Sequence, residues 1–448
     1  MREFHNSLMF KINPLKEFNT EITLPGDKSI SHRAIMLSSI AKGATKISNF
    51  LDSEDTLRTL NVFRQLGVSI DYSPGDKEVI VKGRGKYLSF EKKALYMGES
   101  GTTIRLISGI LSAQRTAITI TSADSLKNRP MARITLPLRL MGAGIQGRRI
   151  NNSEYPPLKI APAGRLRGIT YRLPVASAQV KSCLLLAGLY AQGKTTVIEQ
   201  VQSRDHTERM LKIFSANIKV RRKRITVSDS VLNSPKRLFV PSDFSSSAFF
   251  IGLTLLSKNS RIVIKNVSIN PSRAGLLKVL RRMGAKIKLN NLNKDYFEPY
   301  ADICVESSFL KAVNVREEEI PLLIDELPLL FVLSAFAKGV TSIYGLKELR
   351  VKETDRIYSM GYNLKHMGVK FSLKNYINSS GDKDVMIKIK GGKRLMPSSI
   401  KTFSDHRTAM SLIIANLALN SLAKADNIHC ISKSFPQFFK KLDSIRVS

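Results

Sequence analysis

RMGAKI (282–287) closes an amphipathic helical run on a glycine and reopens as a strand, and that punctuation decides the fold. A left-handed helix end costs least where there is no Cβ, so a glycine at this point marks a C-cap. Outward from it, the same signal returns in QLGVSI (65–70), LMGAGI (140–145) and HMGVKF (366–371), and in FSANI (214–218) with the small Ser215 in the glycine's place. A β-rich stretch follows a helical run in GATKISNF (43–50), RTAITITSA (115–123), GKTTVIEQV (193–201), SRIVIKNVS (260–268), GVTSIYGL (339–346) and DNIHCIS (426–432). The unit recurs about every 75 residues, so six copies fill the chain and the sixth runs out at KKLDSIRVS. Each copy reads loop, helix, strand, loop, helix, strands, which argues an α/β fold.

The first helix of each copy is apolar nearly all round, as in SCLLLAGLYA (182–191), AFFIGLTLL (248–256) and LLFVLSAFA (329–337). Such helices are buried, so six helices are expected to form cores with sheets outside them. Three copies per globule give two domains of similar size. The 448 residues carry 71 Lys and Arg against 36 Asp and Glu, a formal charge of +35, with 43% apolar residues. That composition excludes a wholly disordered chain. Cys183, Cys304 and Cys430 supply neither a disulfide framework nor zinc spacing, which fits a reducing cytoplasm. No apolar run reaches the roughly 18 residues of a membrane span, and MREFHNSLMFKINPLK lacks the apolar core of a signal peptide. The charge points to acidic partners without choosing among small phosphorylated molecules, nucleic acid and membrane surface.

Two kinds of loop precede helices in every copy. The first comprises GDKSISHR (26–33), GESGTTIR (98–105), ASAQVK (176–181), SDFSSSA (242–248), IDELP (324–328) and SDHRTA (404–409). The second comprises DSEDTLR (52–58), DSLKNRPMAR (124–133), QSRDHTER (202–209), NPSRAG (270–275), RVKETDR (350–356) and SKSFP (432–436). Helix N-termini offer unpaired N–H groups and a partial positive charge, and several of these loops add Lys, Arg and a hydroxyl. Together they suit a small polyanion. In DSEDT and SDFSSSA the polar residues read simply as N-caps. In KETDR and SDHR, cation, carboxylate and imidazole crowd too closely for that alone.

Other features carry less. GLYAQGKT (188–195) matches a phosphate-loop pattern but lies between a helix and a strand, the reverse of the order that loop needs. KVRRKR (219–224) sits in a β-rich segment without aromatic residues for base stacking, so it reads as a solvated hairpin surface. His5, His366 and His429 show no metal-ligand spacing and read as surface or packing residues, whereas His206 and His406 fall inside the recurring loops. Cys183 lies within an apolar helix as a buried thiol.

LPGDKSISHRA, SGTTIRL, RPM, SAQVKS, IDELP, RVKETDR, DHRTAM and SFPQF run in order from about residue 22 to residue 440. They resemble the motif series of the 5-enolpyruvylshikimate-3-phosphate synthase (EPSP synthase) family. The resemblance implies a two-domain inside-out α/β barrel, each domain a threefold βαβαββ repeat with buried helices. It places 1–25 plus 244–448 in one domain and 26–243 in the other, with the ligands in the interdomain cleft. It implies transfer of the enolpyruvyl group of phosphoenolpyruvate to the 5-hydroxyl of shikimate 3-phosphate, on the way to chorismate and the aromatic amino acids. Lys28, Ser29, Arg33, Ser177, Gln179, Ser203, Arg204, Asp325 and Lys352 match shikimate 3-phosphate positions. Lys28, Gly101, Arg129, Gln179, Arg356, Arg407 and Lys433 match phosphoenolpyruvate positions. Asp325 is expected to take the hydroxyl proton, with Lys352 placing that hydroxyl and Glu353 or Lys28 handling the proton on carbon. No metal or organic cofactor is demanded, and a cytoplasmic monomer without nucleic-acid or membrane partners is expected.

The departures are few. Glu99 stands where the family usually has Asn, and ASAQVKS and the Lys of ISKSFP resemble different branches. Gly101, rather than Ala, leaves room for glyphosate, which competes with phosphoenolpyruvate. Two alternatives differ in kind: the related UDP-N-acetylglucosamine enolpyruvyl transferase, and a basic nucleic-acid-binding protein. The former's reactive cysteine is missing from the loop around 120–130, and the latter does not explain KETDR, DHR and IDELP.

Overall fold

The structure, a computed structural model, describes residues 10–446 apart from 163, 379, 380 and 393; His5 lies outside the described residues. The fold is mixed α/β. The chain forms two compact units, one taking the chain up to Leu24 and again from Ser242, the other Pro25–Pro241.

One sheet order recurs. In Pro25–Pro241, Ala94–Tyr96 runs parallel beside Ile118–Thr121, which is antiparallel to Ser153–Ile160, itself the hairpin partner of Ile145–Ile150. Thr170–Arg172, Lys194–Ile198, Arg224–Ser228 and Ile218–Arg221 repeat it. For Ala41–Ser48, paired with Glu78–Arg84 and then Ser69–Ser73, the parallel neighbours are Leu232–Asn233 and Arg237–Phe239. The end of this unit therefore returns to its first sheet. The other unit repeats the order in Asn19–Thr23, Arg261–Ser268, Tyr300–Glu306 and Lys286–Asn293. Asn314–Val315, Gly339–Ile343, Lys383–Gly391 and Lys370–Ile377 follow it once more.

The sixth copy departs from the expectation. DNIHCIS is not a strand: His429–Ser432 is a short helix, and the strand lies earlier, at Ala423–Ala425. The Asn427 side chain accepts from the His429 N–H at 2.9 Å, which turns the chain, while Cys430 and Ile431 are buried. Such local side-chain bonding competes with the strand ladder. Ala423–Ala425 instead pairs antiparallel with Phe10–Ile12 from the other end of the chain, and Ile400 bridges parallel to Ala425.

All five predicted turn residues are left-handed, with φ of 81° at Gly67, 93° at Gly142, 62° at Ser215, 87° at Gly284 and 85° at Gly368. Ser215 alone bears the Cβ strain, about 1–2 kcal/mol. In Phe244–Leu256 every residue but Leu256 is buried, and in Leu327–Phe336 every residue but Phe336. Each fully buried Leu, Ile or Phe contributes about 1.5–3 kcal/mol. Close approach needs small residues: a Cβ on Gly109 of Gly101–Leu111 would lie 2.2 Å from the Cys183 carbonyl of Ala178–Gly188.

GLYAQGKT runs from the helix Ala178–Gly188 into the strand Lys194–Ile198, in helix-to-strand order. KVRRKR forms an exposed hairpin of Ile218–Arg221 and Arg224–Ser228. Cys183 is buried, and burial pushes its thiol up to about 12. His366 and His429 are exposed. Among the described residues no helix is long and apolar enough to cross a membrane.

Candidate active site

Within Pro25–Pro241 the matched residues gather at helix N-termini. Asp27 caps Lys28–Ser39 by accepting from the Ile30 N–H at 2.9 Å. Lys28, on the first turn, pairs with Asp55 at 2.5 Å. Arg33 is buried and donates to the Ser29 carbonyl at 2.9 Å, Thr207 Oγ1 at 2.7 Å and Ser182 Oγ at 2.9 Å. These bonds hold the guanidinium in one orientation, which a flexible cation on a surface lacks. His32 Nδ1 lies 2.6 Å from Thr59 Oγ1, Thr59 lies 2.7 Å from Thr103 Oγ1, and Thr103 donates to Ser100 Oγ at 2.7 Å. Burial lowers the His32 pKa to about 3, so its ring is neutral at pH 7.

Ser100 caps Gly101–Leu111. A Cβ on Gly101 would lie 3.0 Å from Arg129 Nη1 and 3.2 Å from Arg105 Nη1, so the structure brings Gly101 and Arg129 together. Arg105 donates to Gln179 Oε1 at 2.8 Å, and Gln179 Nε2 donates to Thr102 Oγ1 at 3.0 Å. Ser177 caps the next helix, Ala178–Gly188, through the Val180 N–H. Glu99 is half-buried on the same loop as Gly101. Arg105 and Asp55 were legible as charged residues in the recurring loops, but nothing in the sequence singled them out.

Beneath Ser203 lies a buried ion cluster that spacing does not reveal. Lys181 Nζ reaches Glu199 Oε2 at 3.0 Å and Glu208 Oε1 at 2.6 Å, and all three side chains are buried. Burial alone would lower the Lys181 pKa, yet the two carboxylates outweigh it and hold the amine above its ordinary value. Glu199 Oε1 accepts from the Ser203 N–H at 3.0 Å and from the Ser203 hydroxyl. Arg204 follows, half-buried.

In the unit from Ser242 onwards, the matched arginines Arg356 and Arg407 meet at the Asp325 carboxylate. Asp325 lies 3.6 Å from Arg356, 3.7 Å from Arg407 and 3.8 Å from Arg273. Arg407 also donates to the Asp325 carbonyl at 2.9 Å. Arg356 is buried and donates to Asp405 at 2.9 Å and Glu353 at 2.6 Å. Its burial favours the neutral form, but Asp405, Glu353 and Asp325 push its pKa still further up. Arg356 Nη1 has no hydrogen-bond acceptor among the described residues.

Asp405 has a second task, capping His406–Ala418 through the Arg407 and Thr408 N–H groups at 2.9 Å each. Just before it, Phe403 and Ser404 are both left-handed, with φ of 52° and 56°. Two consecutive non-glycine residues there store strain, and the Phe403 ring is held 5.7 Å from both Tyr358 and Tyr362. Burial lowers the His406 pKa to about 4. Lys352 and Lys433 are half-buried caps after Lys347–Val351 and His429–Ser432. Arg273 and the buried Glu326 fall in the recurring loops NPSRAG and IDELP, but nothing in the sequence singles them out: Arg273 donates to Ser245 Oγ at 2.7 Å and lies 3.5 Å from Glu326. Ser53 and Asp243 do cap helices in DSEDT and SDFSSSA, but capping is not their whole content: Asp55 pairs with Lys28 at 2.5 Å and Asp243 with Arg273 at 3.3 Å.

Clustered arginines at helix starts within a mixed α/β fold define a class of protein that handles small anions. That fold is shared with the enolpyruvyl transferase NikO of Streptomyces tendae, with a TM-score of 0.72 at 17% identity over 98% of this chain and 97% of that one. The structure of EPSP synthase from Acinetobacter baumannii matches at a TM-score of 0.85 and 41% identity, covering 98% of each chain. The 3-phosphoshikimate 1-carboxyvinyltransferase of Petrotoga mobilis is 45% identical over 98% of this chain and 100% of its own. A family model described as EPSP synthase (3-phosphoshikimate 1-carboxyvinyltransferase) matches residues 12–442. The chain belongs to the EPSP synthase family.

Proposed function

We propose that this chain transfers the enolpyruvyl group of phosphoenolpyruvate to the 5-hydroxyl of shikimate 3-phosphate, a step of the shikimate pathway. Family membership across nearly the whole chain carries the activity. The buried Arg356 Nη1, 3.6 Å from Asp325 and without a hydrogen-bond acceptor among the described residues, supports the site. A buried donor left unbonded costs free energy that an incoming carboxylate or phosphate relieves. Two polyanions must be held together, and fixed cations offset their repulsion. Lys28, Ser29, Arg33, Ser177, Gln179, Ser203, Arg204, Asp325 and Lys352 make up the shikimate 3-phosphate set; Lys28, Gly101, Arg129, Gln179, Arg356, Arg407 and Lys433 make up the phosphoenolpyruvate set. Arginine suits both anions through its bidentate fork.

The 5-hydroxyl oxygen bonds to C2 of phosphoenolpyruvate while C3 takes a proton. The tetrahedral adduct then loses a C3 proton and phosphate, leaving the enol ether. Asp325, partly open to solvent, takes the hydroxyl proton; Lys352 places that hydroxyl; Glu353 or Lys28 serves the carbon. The repeated sheet order and buried helices support reading each unit as a threefold βαβαββ repeat, an inside-out α/β barrel. Three buried free thiols support a reducing cytoplasm, and a single peak at the mass of one chain is expected on size exclusion. The space that a Cβ on Gly101 would take beside Arg129 supports glyphosate inhibition; unchanged turnover at millimolar glyphosate would refute it. The deciding assay is phosphate release. It should require phosphoenolpyruvate together with shikimate 3-phosphate, and UDP-N-acetylglucosamine should not substitute as acceptor; release from phosphoenolpyruvate with the nucleotide sugar in place of shikimate 3-phosphate would assign the related transferase.

A further inference from the structure

We infer that Glu199, backed by Lys181, is a positioning residue for shikimate 3-phosphate that acts through the Ser203 hydroxyl. The inference rests on reading Ser203 as a ligand of the substrate phosphate. Ser203 lies between the strand Lys194–Ile198 and the helix His206–Ile213, on a loop with no ladder of its own. Its N–H donates to Glu199 Oε1 at 3.0 Å, its hydroxyl donates to the same oxygen, and its carbonyl accepts from Lys181 Nζ at 3.4 Å. Every polar group of Ser203 is thus engaged by one buried pair. The pair is anchored in turn by Glu208, 2.6 Å from Lys181.

A serine hydroxyl has a single hydrogen to give. While Glu199 takes it, Ser203 cannot donate to a phosphate dianion, so substrate binding requires the hydroxyl to turn from one acceptor to the other. Glu199 keeps the Ser203 N–H and Lys181 through that exchange, so the backbone stays in place while the hydroxyl swings. The pivot depends on the reach of the Glu199 side chain as well as on its charge. Shortening the side chain by one methylene withdraws the acceptor from the Ser203 N–H, so the backbone that carries the hydroxyl is no longer held in place for the phosphate.

The test is steady-state kinetics with shikimate 3-phosphate varied at saturating phosphoenolpyruvate. Glu199→Asp keeps the charge beside Lys181, and its KM for shikimate 3-phosphate is expected to rise about tenfold, the loss of one hydrogen bond to a charged group. Its kcat and its KM for phosphoenolpyruvate should stay close to wild type, a split that a merely structural role would not produce. Ser203→Ala should show a similar rise, and the double variant no more than either single one. Wild-type KM in Ser203→Ala would overturn the reading of Ser203 and the inference with it. A raised KM in Ser203→Ala, with no change in Glu199→Asp or with its full factor added in the double variant, would overturn the inference alone. Should Glu199→Asp not fold, Glu199→Ala leaves Lys181 paired with Glu208 and is judged by the same outcomes.

Discussion

Asp325 sits 3.6–3.8 Å from three guanidiniums with its side chain still 18% exposed, so the carboxylate is held firmly yet open to solvent, which fits the proposed base. Removing it as Asp325→Ala is expected to lower kcat about 10²- to 10⁴-fold, the usual worth of a positioned base. Near-normal turnover with an unchanged circular dichroism spectrum would refute the assignment. His32 makes a different prediction. Burial lowers its pKa from 6.5 to about 3, so below pH 6.5 the unfolded chain takes up a proton that the folded one excludes. Stability is therefore full above pH 6.5 and falls as the pH drops toward 3, by up to ~1.4 kcal/mol per unit from this residue. Urea unfolding at pH 7 and pH 5 should show about 2 kcal/mol less loss in His32→Asn than in wild type. Equal losses would show that His32 is not the proton acceptor.

The helices that begin at Gly101 and Ala178 carry site residues on their first turns and touch through Gly109. A Cβ there would lie 2.2 Å from the Cys183 carbonyl and 3.3 Å from the Ala187 N, so the two helices must part. Gly109→Ala is expected to destabilise the protein by about 1–3 kcal/mol and to raise the KM values by shifting Arg105 against Gln179. A thermal melt and kinetics check both, and an unchanged melting temperature would refute the close packing. Elements of this kind were readable wherever a local rule governs them. Five turn residues, one of them Ser215, fell at left-handed φ because helix termination is decided within a few residues. DNIHCIS was misread because its β-branched isoleucines favour a strand, while Asn427 bonds the local backbone and Ala423–Ala425 found its partner at Phe10–Ile12, hundreds of residues away. Strand pairing at that distance has no signature in a sequence window.

Across the whole molecule the charge of +35 is far larger than the reaction needs. Such a field draws anionic substrates and is screened over about 10 Å at 0.1 M salt. Both kcat/KM values are therefore expected to fall as ionic strength rises from 0.02 to about 0.5 M, with kcat changing less. Salt-independent kcat/KM would make the surplus charge irrelevant to catalysis. The repeat and its helix ends follow from the chain read in one dimension, because helix ends, caps and buried helices obey local rules; the cations proposed for the site follow from the resemblance of the loop motifs. Which carboxylate meets which cation does not. Arg273 joins Asp325 from a loop 52 residues away, and Lys181, Glu199 and Glu208 close into one cluster from three elements. Those pairings exist only once packing removes water from around the charges, since an ion pair worth little in solvent becomes a constraint when both members are buried.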